Sequence, residues 1–285
     1  MPKVSVLMPV YKTNEQYLRE AIESILNQTF TDFELLIVDD CPTEPRTDVV
    51  KSYQDPRIKY YQNECNLGIS EARNRLLDLA QGEYLAVFDH DDISLPTRLE
   101  KEVAFLEQHP DYGVVSCQSR NIVTDTPLEN PCSDDQIRLD LTQCCAVLHP
   151  ACMIRKSLLK QHQIRYEAQF SPAEDHALFC RLTPFTKFCN LDEVLFLYRD
   201  HEGNTTHLQQ EKMLRAIFAV RAMVRHDYPG LYQLSQRYRC ERTKYKLFGR
   251  ISLFTVYRTC DYTRVYLFHK KVLLLELRHF QDYQH

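Results

Sequence analysis

The sequence predicts an α/β protein: a mostly parallel sheet with helices on both faces, followed by a C-terminal helical subdomain. Three observations carry this reading. Short β-rich runs alternate with helical patterns through the first half, the arrangement of βαβ units. Carboxylates follow two of those runs directly, as Asp39-Asp40 and as Asp89-His90-Asp91-Asp92, at strand ends where α/β sheets bind ligands. From about Leu208 the alternation stops, and Met213, Ile217, Val220 and Val224 follow helical spacing. The expected domains are 1–207 and 208–285.

The elements follow in order. Lys3 to Val10 reads as a strand, ended by Pro9, which cannot donate to a ladder. Thr13-Asn14-Glu15-Gln16 has capping-box spacing, and Leu18, Ile22, Ile25 and Leu26 come at helical intervals. Phe33 to Val38 is a second strand and Ile58 to Tyr61 a shorter third. Asn66-Leu67-Gly68-Ile69-Ser70 then turns into a helix from Glu71 to about Leu79. Tyr84 to Phe88 is the strand ahead of the Asp89 cluster, and Leu99, Val103 and Leu106 mark one face of the next helix.

Composition narrows the classes. A chain of 285 residues that is 44% hydrophobic has room for a sizeable core. Its net charge of −4 argues against a general nucleic-acid binder. Eleven Cys with no CxxC pair, and no charged-then-apolar leader, argue against structural zinc and a secreted disulfide framework. The thiols, Cys144-Cys145 among them, read as small buried hydrophobes in a reducing, cytoplasmic setting. No apolar stretch approaches the ~20 residues that span a bilayer, so the expectation is a soluble or peripheral protein. None of the six Gly are spaced as GxGxxG or as a P-loop, which excludes kinases, GTPases and Rossmann dehydrogenases. A nucleotide on this sheet would be held by acidic side chains and a metal.

Three carboxylates crowded at one strand end repel one another, and a divalent cation would relieve them. The competing reading is a solvated loop capping the helix after Ser94-Leu95-Pro96-Thr97. The strand context and a second acidic pair, Glu174-Asp175, favour the metal. Asp175 also has a plainer reading, as a cap for the helix that begins near His176. In the last fifty residues, Lys244, Lys246, Lys270 and Lys271 are interleaved with Tyr245, Phe254 and Tyr257. That pattern fits a packed helical subdomain with a basic face, or contact with an anionic membrane.

Taken in order, the motifs resemble one family. Met8-Pro9-Val10-Tyr11, Val38-Asp39-Asp40, Asn66 to Asn74, Asp89-His90-Asp91-Asp92, Ser94 to Glu100, His149-Pro150, Glu174-Asp175 and Tyr198-Arg199 with His201 and Asn204 are similar to the family 2 glycosyltransferases of GT-A fold. The resemblance spans about residues 3 to 206. It implies that Pro9, Tyr11 and Asp39 line the nucleotide base and ribose, with Val10, Asp40, Gly68, Arg73, His90, His149 and Glu174 as further substrate-binding positions. It implies that Asp89 and Asp91 form a DxD motif holding ribose and Mg²⁺ or Mn²⁺, with His201 on the metal or diphosphate. Asp175 becomes the catalytic base.

The activity so implied is non-processive, inverting transfer from a nucleotide-sugar donor, UDP-linked first, to a glycan hydroxyl in cell-surface polysaccharide or lipopolysaccharide synthesis. The partners implied are that donor and a glycan acceptor, lipid-linked at an anionic membrane. The chain departs from the family where Gly-Ser usually follows the Asp pair: here it is Cys41-Pro42-Thr43, and Pro42 fixes φ near −65°. The chain has no Trp, against a processive synthase. A sugar-phosphate nucleotidyltransferase remains as a rival, although no Gly-rich loop follows the first strand. So does a catalytically inert glycan-binding scaffold.

Overall fold

The computed structural model describes residues 1–201, 203–204 and 208–236, and the backbone of 237–238, 241–247, 251–258, 262–267 and 272–278. The first elements are β1 (Val4–Val10), α1 (Glu15–Leu26), β2 (Phe33–Asp39), α2 (Thr47–Lys51), β3 (Ile58–Gln62), α3 (Ile69–Leu79), β4 (Tyr84–Val87), β5 (Ile93–Ser94) and α4 (Arg98–Gln108). Next come β6 (Tyr112–Asn121), β7 (Pro127–Leu128), α5 (Asp134–Leu141), β8 (Met153–Arg155), α6 (Lys156–His162), α7 (Glu174–Leu182) and β9 (Lys187–Tyr198). After these follow α8 (Gln210–Asp227), α9 (Pro229–Tyr238), β10 (Glu241–Leu247), β11 (Ile251–Arg258), β12 (Tyr262–Leu267) and β13 (Val272–Arg278).

One sheet runs β3-β2-β1-β4-β8-β6-β9-β5, with β7 paired to β6. Strands β3, β2, β1 and β4 pair in parallel, as the strand–helix alternation predicts. Beyond β4 the sheet is mixed, because β8 runs antiparallel to both β4 and β6. Every residue of β1 and β2 is buried, which suits strands covered on both faces. Val6 and Met8 of β1 pack with Leu18, Ile22 and Ile25 of α1 and with Leu99 and Val103 of α4. The cap of α1 is Asn14, one residue later than the expected box. Its side chain accepts from the amides of Gln16 (2.9 Å) and Tyr17 (3.3 Å), and Asn caps at least as well as Thr. Because β1 lies between β2 and β4, the loops after these three strands meet at the switch point where such sheets bind ligands.

The compact units are 1–222 and 223–285, where the sequence placed the division after residue 207. The first part of α8 belongs to the first unit: Val220 is fully buried and Arg221 Nε donates to the Gln143 carbonyl at 2.7 Å. The helical expectation holds through α8 and α9 and fails beyond them. There the described residues form an antiparallel sheet in the order β10-β11-β12-β13. Runs such as Ile251-Ser252-Leu253-Phe254-Thr255-Val256-Tyr257 are rich in β-branched and aromatic residues, which fit a pleated strand. The side chains of the basic tail lie outside the described residues. Among the described residues no helix is long and apolar enough to cross a membrane. Cys41, Cys117, Cys152 and Cys180 are buried, as expected. Cys144 is exposed and Cys145 half-buried, so that pair is not core; it lies in the loop after α5.

Behind the Asp89 loop, α4 buries two charged side chains. Arg98 Nε donates to Ser94 Oγ at 2.8 Å and its Nη1 to the Val87 carbonyl at 3.3 Å, tying the end of β4. Its guanidinium lies 5.5 Å from the Phe88 ring and 5.8 Å from that of Phe196. Glu102, one turn on, is fully buried and neither carboxylate oxygen has a protein hydrogen-bond partner. Burial raises it from the ordinary 4.5 to about 8, with Arg98 opposing. Between those values the unfolded chain has released a proton that the folded chain keeps, so stability falls as pH rises through this window. Each pH unit there is worth ~1.4 kcal/mol. Glu102→Gln cannot ionise and should flatten the profile, gaining stability over the parent at about pH 8. Parallel pH profiles for the two proteins in urea denaturation would count against this.

Candidate active site

The three carboxylates after β4 do crowd one turn, but each is relieved by a different partner. Asp89 Oδ1 accepts from Arg73 Nη2 at 3.3 Å. Asp91 Oδ2 lies 2.9 Å from His201 Nε2. Asp92 is buried and its Oδ1 accepts from the Arg199 amide at 2.7 Å. Burial pushes the Asp92 carboxyl well above the ordinary range, and Asp91 and Asp89 add to that. His90 Nδ1 stands 4.0 Å from Asp91 Oδ1, too far for a hydrogen bond.

Arg73, on α3, joins this strand end to the second acidic pair. Its Nη1 donates to Glu174 Oε1 at 2.6 Å while Nη2 faces Asp89. The guanidinium also lies 5.6 Å from the Tyr166 ring. Burial works against its charge, yet Asp89 and Glu174 outweigh burial and hold it protonated. Glu174 is buried, whereas Asp175 is half-buried and its Oδ1 accepts from the adjacent His176 amide at 2.7 Å. Both carboxyls are raised by burial, and Arg73 opposes the rise. Helix α7 starts at Glu174, so Asp175 sits in its first turn and not ahead of it as a cap.

Several expected ligand residues prove to hold the loops. Asp39 is fully buried: Oδ1 accepts from the Cys41 amide (2.9 Å), and Oδ2 from the Arg46 amide (2.7 Å) and Tyr60 Oη (2.9 Å). Three donors occupy most of what a carboxylate accepts, so Asp39 shapes the Cys41–Arg46 loop. Asp40 accepts from Asn63 Nδ2 (2.6 Å) and from the amides of Leu67 (2.9 Å) and Gly68 (2.8 Å). It fixes the turn into α3, where Gly68 has φ +83°, a conformation that favours glycine. For His149 the sequence offered a cleft position or a satisfied core histidine, and the contacts match the second. His149 is buried behind Tyr166, with Nε2 2.9 Å from the Tyr166 hydroxyl and its ring against Phe179. Burial, and then Arg73, lower it well below the ordinary histidine range, so it stays neutral. Pro9 and Val10 close the buried end of β1, while Tyr11 is exposed at the switch point.

The metal expectation can be tested on this donor set. Among the described residues no three His, Cys, Asp or Glu side chains converge. The proposed trio of Asp89, Asp91 and His201 narrows to the Asp91–His201 pair, because Asp89 is turned to Arg73. Such a pair fits a hard cation that takes one or two protein carboxylates and completes its shell with substrate phosphates. Sequence reading gave no role to Arg199, Tyr17 or Glu20. Arg199, just after β9, meets the Asp91 loop, while Glu20 and Tyr17 of α1 meet Arg199; contacts across 107 or more residues of chain leave no local pattern.

Comparison with known proteins places this geometry. A family model described as glycosyl transferase family 2 matches residues 5–162, more than half of the chain. An uncharacterized glycosyltransferase of Methanocaldococcus jannaschii is 32% identical over 224 residues, covering 74% of this chain and 76% of that protein. A putative colanic acid biosynthesis glycosyl transferase of Escherichia coli is 39% identical over 109 residues, 38% of this chain and 39% of that one. Among solved structures, S. aureus TarS 1-349 in complex with UDP-GlcNAc superposes with a TM-score of 0.66 at 22% identity, covering 82% of this chain and 72% of that one. A mannosyltransferase of Pyrobaculum calidifontis in complex with GDP-Man and Mn²⁺ gives 0.58 at 18% identity, covering 82% and 73%. At these identities the superpositions establish the fold, which is of GT-A type.

Arg73 is the interaction most exposed to test. Arg73→Met leaves Asp89 and Glu174 without their cation and should cost about 3–5 kcal/mol in urea unfolding. Glu174→Gln leaves Arg73 facing Asp89 and should cost clearly less. Equal losses for the two variants would mean that charge pairing is not what holds the halves of the site together.

Proposed function

The chain belongs to glycosyltransferase family 2, and from that premise we propose that it is a metal-dependent, inverting, non-processive enzyme using a nucleotide-sugar donor. A UDP-sugar is the first donor to try, and the acceptor is a glycan hydroxyl in cell-surface polysaccharide or lipopolysaccharide assembly. One observation carries this reading. Arg73 joins a strand-end carboxylate, Asp89, to the Glu174-Asp175 pair, so donor-side and acceptor-side groups share one buried cation.

Asp91 and His201 are the residues that would hold a divalent ion and the diphosphate around it. The ion's chemistry there is neutralisation of leaving-group charge, worth several kcal/mol. Tyr11, exposed after β1, offers its ring to the base, and Asp89 stays available to the ribose while tethered by Arg73. Asp175 takes the acceptor hydroxyl proton as that oxygen bonds to the anomeric carbon. The bond from that carbon to the diphosphate oxygen breaks, and its electron pair leaves with the nucleoside diphosphate. A positioned base of this kind contributes roughly 10²–10⁴-fold. Its raised carboxyl puts the acid limb of kcat/KM above pH 3.8, the ordinary aspartate value.

Two variants separate the roles. Asp91→Asn should keep the fold and abolish metal-dependent nucleotide binding. Asp175→Asn should leave donor affinity nearly intact and cut turnover at least ~10²-fold. Equal nucleotide affinity with and without metal in the parent would overturn the metal reading. Failure to transfer or hydrolyse any sugar nucleotide would favour the inert scaffold.

The basic tail makes contact with an anionic membrane the remaining proposal, at ~1 kcal/mol per Lys or Arg near such a surface. Sedimentation with anionic vesicles should bring the protein down at low salt and release it at high salt. Replacing Lys244, Lys246, Lys270 and Lys271 with Gln should abolish the effect. Equal binding to neutral vesicles would sink this proposal.

A further inference from the structure

Arg199 follows directly on β9 and makes contacts with the Asp91 loop and with α1. Its amide donates to Asp92 Oδ1 at 2.7 Å, a bond that any side chain would keep. Its Nε donates to the Asp91 carbonyl at 2.7 Å, and Nη2 pairs with Glu20 of α1. The guanidinium lies 4.3 Å from the Tyr17 ring, and that same ring meets His201 at 5.5 Å and 43°. The Arg199 side chain is only 11% exposed, and Glu20 is 34% exposed.

We propose that Arg199, anchored by Glu20 and Tyr17, is the positioning residue that sets the Asp91–His201 pair for a divalent ion and diphosphate. This inference rests on the donor-site reading above. The planar fork spends one N–H on the Asp91 backbone and another on α1, so it fixes where the Asp91 carboxylate starts from relative to a rigid helix. His201, two residues along, is held from two other sides. Tyr17 packs against its ring, and the Gly203 amide donates to its Nδ1 at 3.1 Å. With Nδ1 accepting, Nε2 carries the ring proton: it donates to Asp91 and can donate to a diphosphate oxygen, which leaves the Asp91 carboxylate as the ligand for the ion. Both members of the pair are thus referred to the same anchor on α1. Lysine cannot replace the arginine there, because an ammonium is a point charge and cannot serve the carbonyl and Glu20 in the fork geometry.

The test compares Arg199→Lys and Glu20→Gln with the parent, titrating Mn²⁺ with UDP present and following free Mn²⁺ by its paramagnetic resonance signal. Groups that orient a metal ligand typically change affinity by about 10–100-fold when removed. Arg199→Lys should therefore weaken Mn²⁺ binding by about that factor, and Glu20→Gln by a smaller one. UDP affinity without metal should stay within about twofold of the parent. In turnover, the Mn²⁺ concentration for half-maximal rate should rise while the rate at saturating Mn²⁺ holds. Unchanged Mn²⁺ affinity in both variants, with or without a lower melting temperature, overturns the proposal and leaves Arg199 as a purely structural tie. Absence of UDP-dependent Mn²⁺ binding in the parent is a different result, and it overturns the donor-site reading itself. Should Arg199→Lys fail to fold, Glu20→Gln, at a partly exposed position, decides alone.

Discussion

The candidate site depends on one buried cation shared among more carboxylates than it can neutralise. Arg73 comes from α3, Asp89 from the end of β4 and Glu174 from the start of α7, and none of these elements would hold its charged group in place alone. Taking a guanidinium out of water costs several kcal/mol, and only close, well-oriented partners repay it. Here the partners are two carboxylates and an aromatic face. With Asp175 also near, the acids outnumber the base. Burial, with that excess added to it, raises Glu174 and Asp175.

The loops around the switch point use the same device. Where dinucleotide-binding sheets shape their loops with glycine, this chain shapes them with buried aspartates that collect backbone amides. Asp39 gathers those of Cys41 and Arg46, and Asp40 those of Leu67 and Gly68. Cys41-Pro42-Thr43 therefore need not supply glycine flexibility, because the path after β2 is set by what Asp39 accepts. The consequence is chemical: a carboxylate already holding two amides and a tyrosine hydroxyl acts as a scaffold for its loop. On the proposed reading, Tyr11 is the exposed group next to it that a nucleotide base would meet.

Much of this was legible in the sequence, for a physical reason. The parallel half of the sheet announces itself through apolar runs of strand length separated by helical periodicity, and the acids stand at strand ends, where local order alone places them. Side-chain destinations were not legible. Asp39 and Asp40 look like ligand-facing acids until their amide partners are seen, and nothing local ties Arg199 to Glu20. His149 had two readings, a cleft position and a satisfied core histidine, and no local pattern shows the Tyr166 hydroxyl beside it. The strands after residue 240 were missed because lysines and arginines spaced among aromatics suggest a polar helix face as readily as one face of a sheet.

The Glu174-Asp175 pair shows how two adjacent acids acquire different capacities. Glu174 is buried and spends one oxygen on a charged hydrogen bond to Arg73, so a proton on it would remove the negative charge that the guanidinium pairs with. Asp175 is half-buried, and its Oδ1 accepts from an amide of its own helix, a bond that a proton on Oδ2 leaves in place. On the proposed reading, a general base must take up a proton and release it again without dismantling its surroundings, and the second residue is the better placed to do so. Burial then adds to its fitness by lifting its proton affinity towards the working pH, where the product of ionised fraction and basicity is greatest. On the proposed reading, Glu174 keeps the cation that limits this rise while Asp175 uses what remains of it.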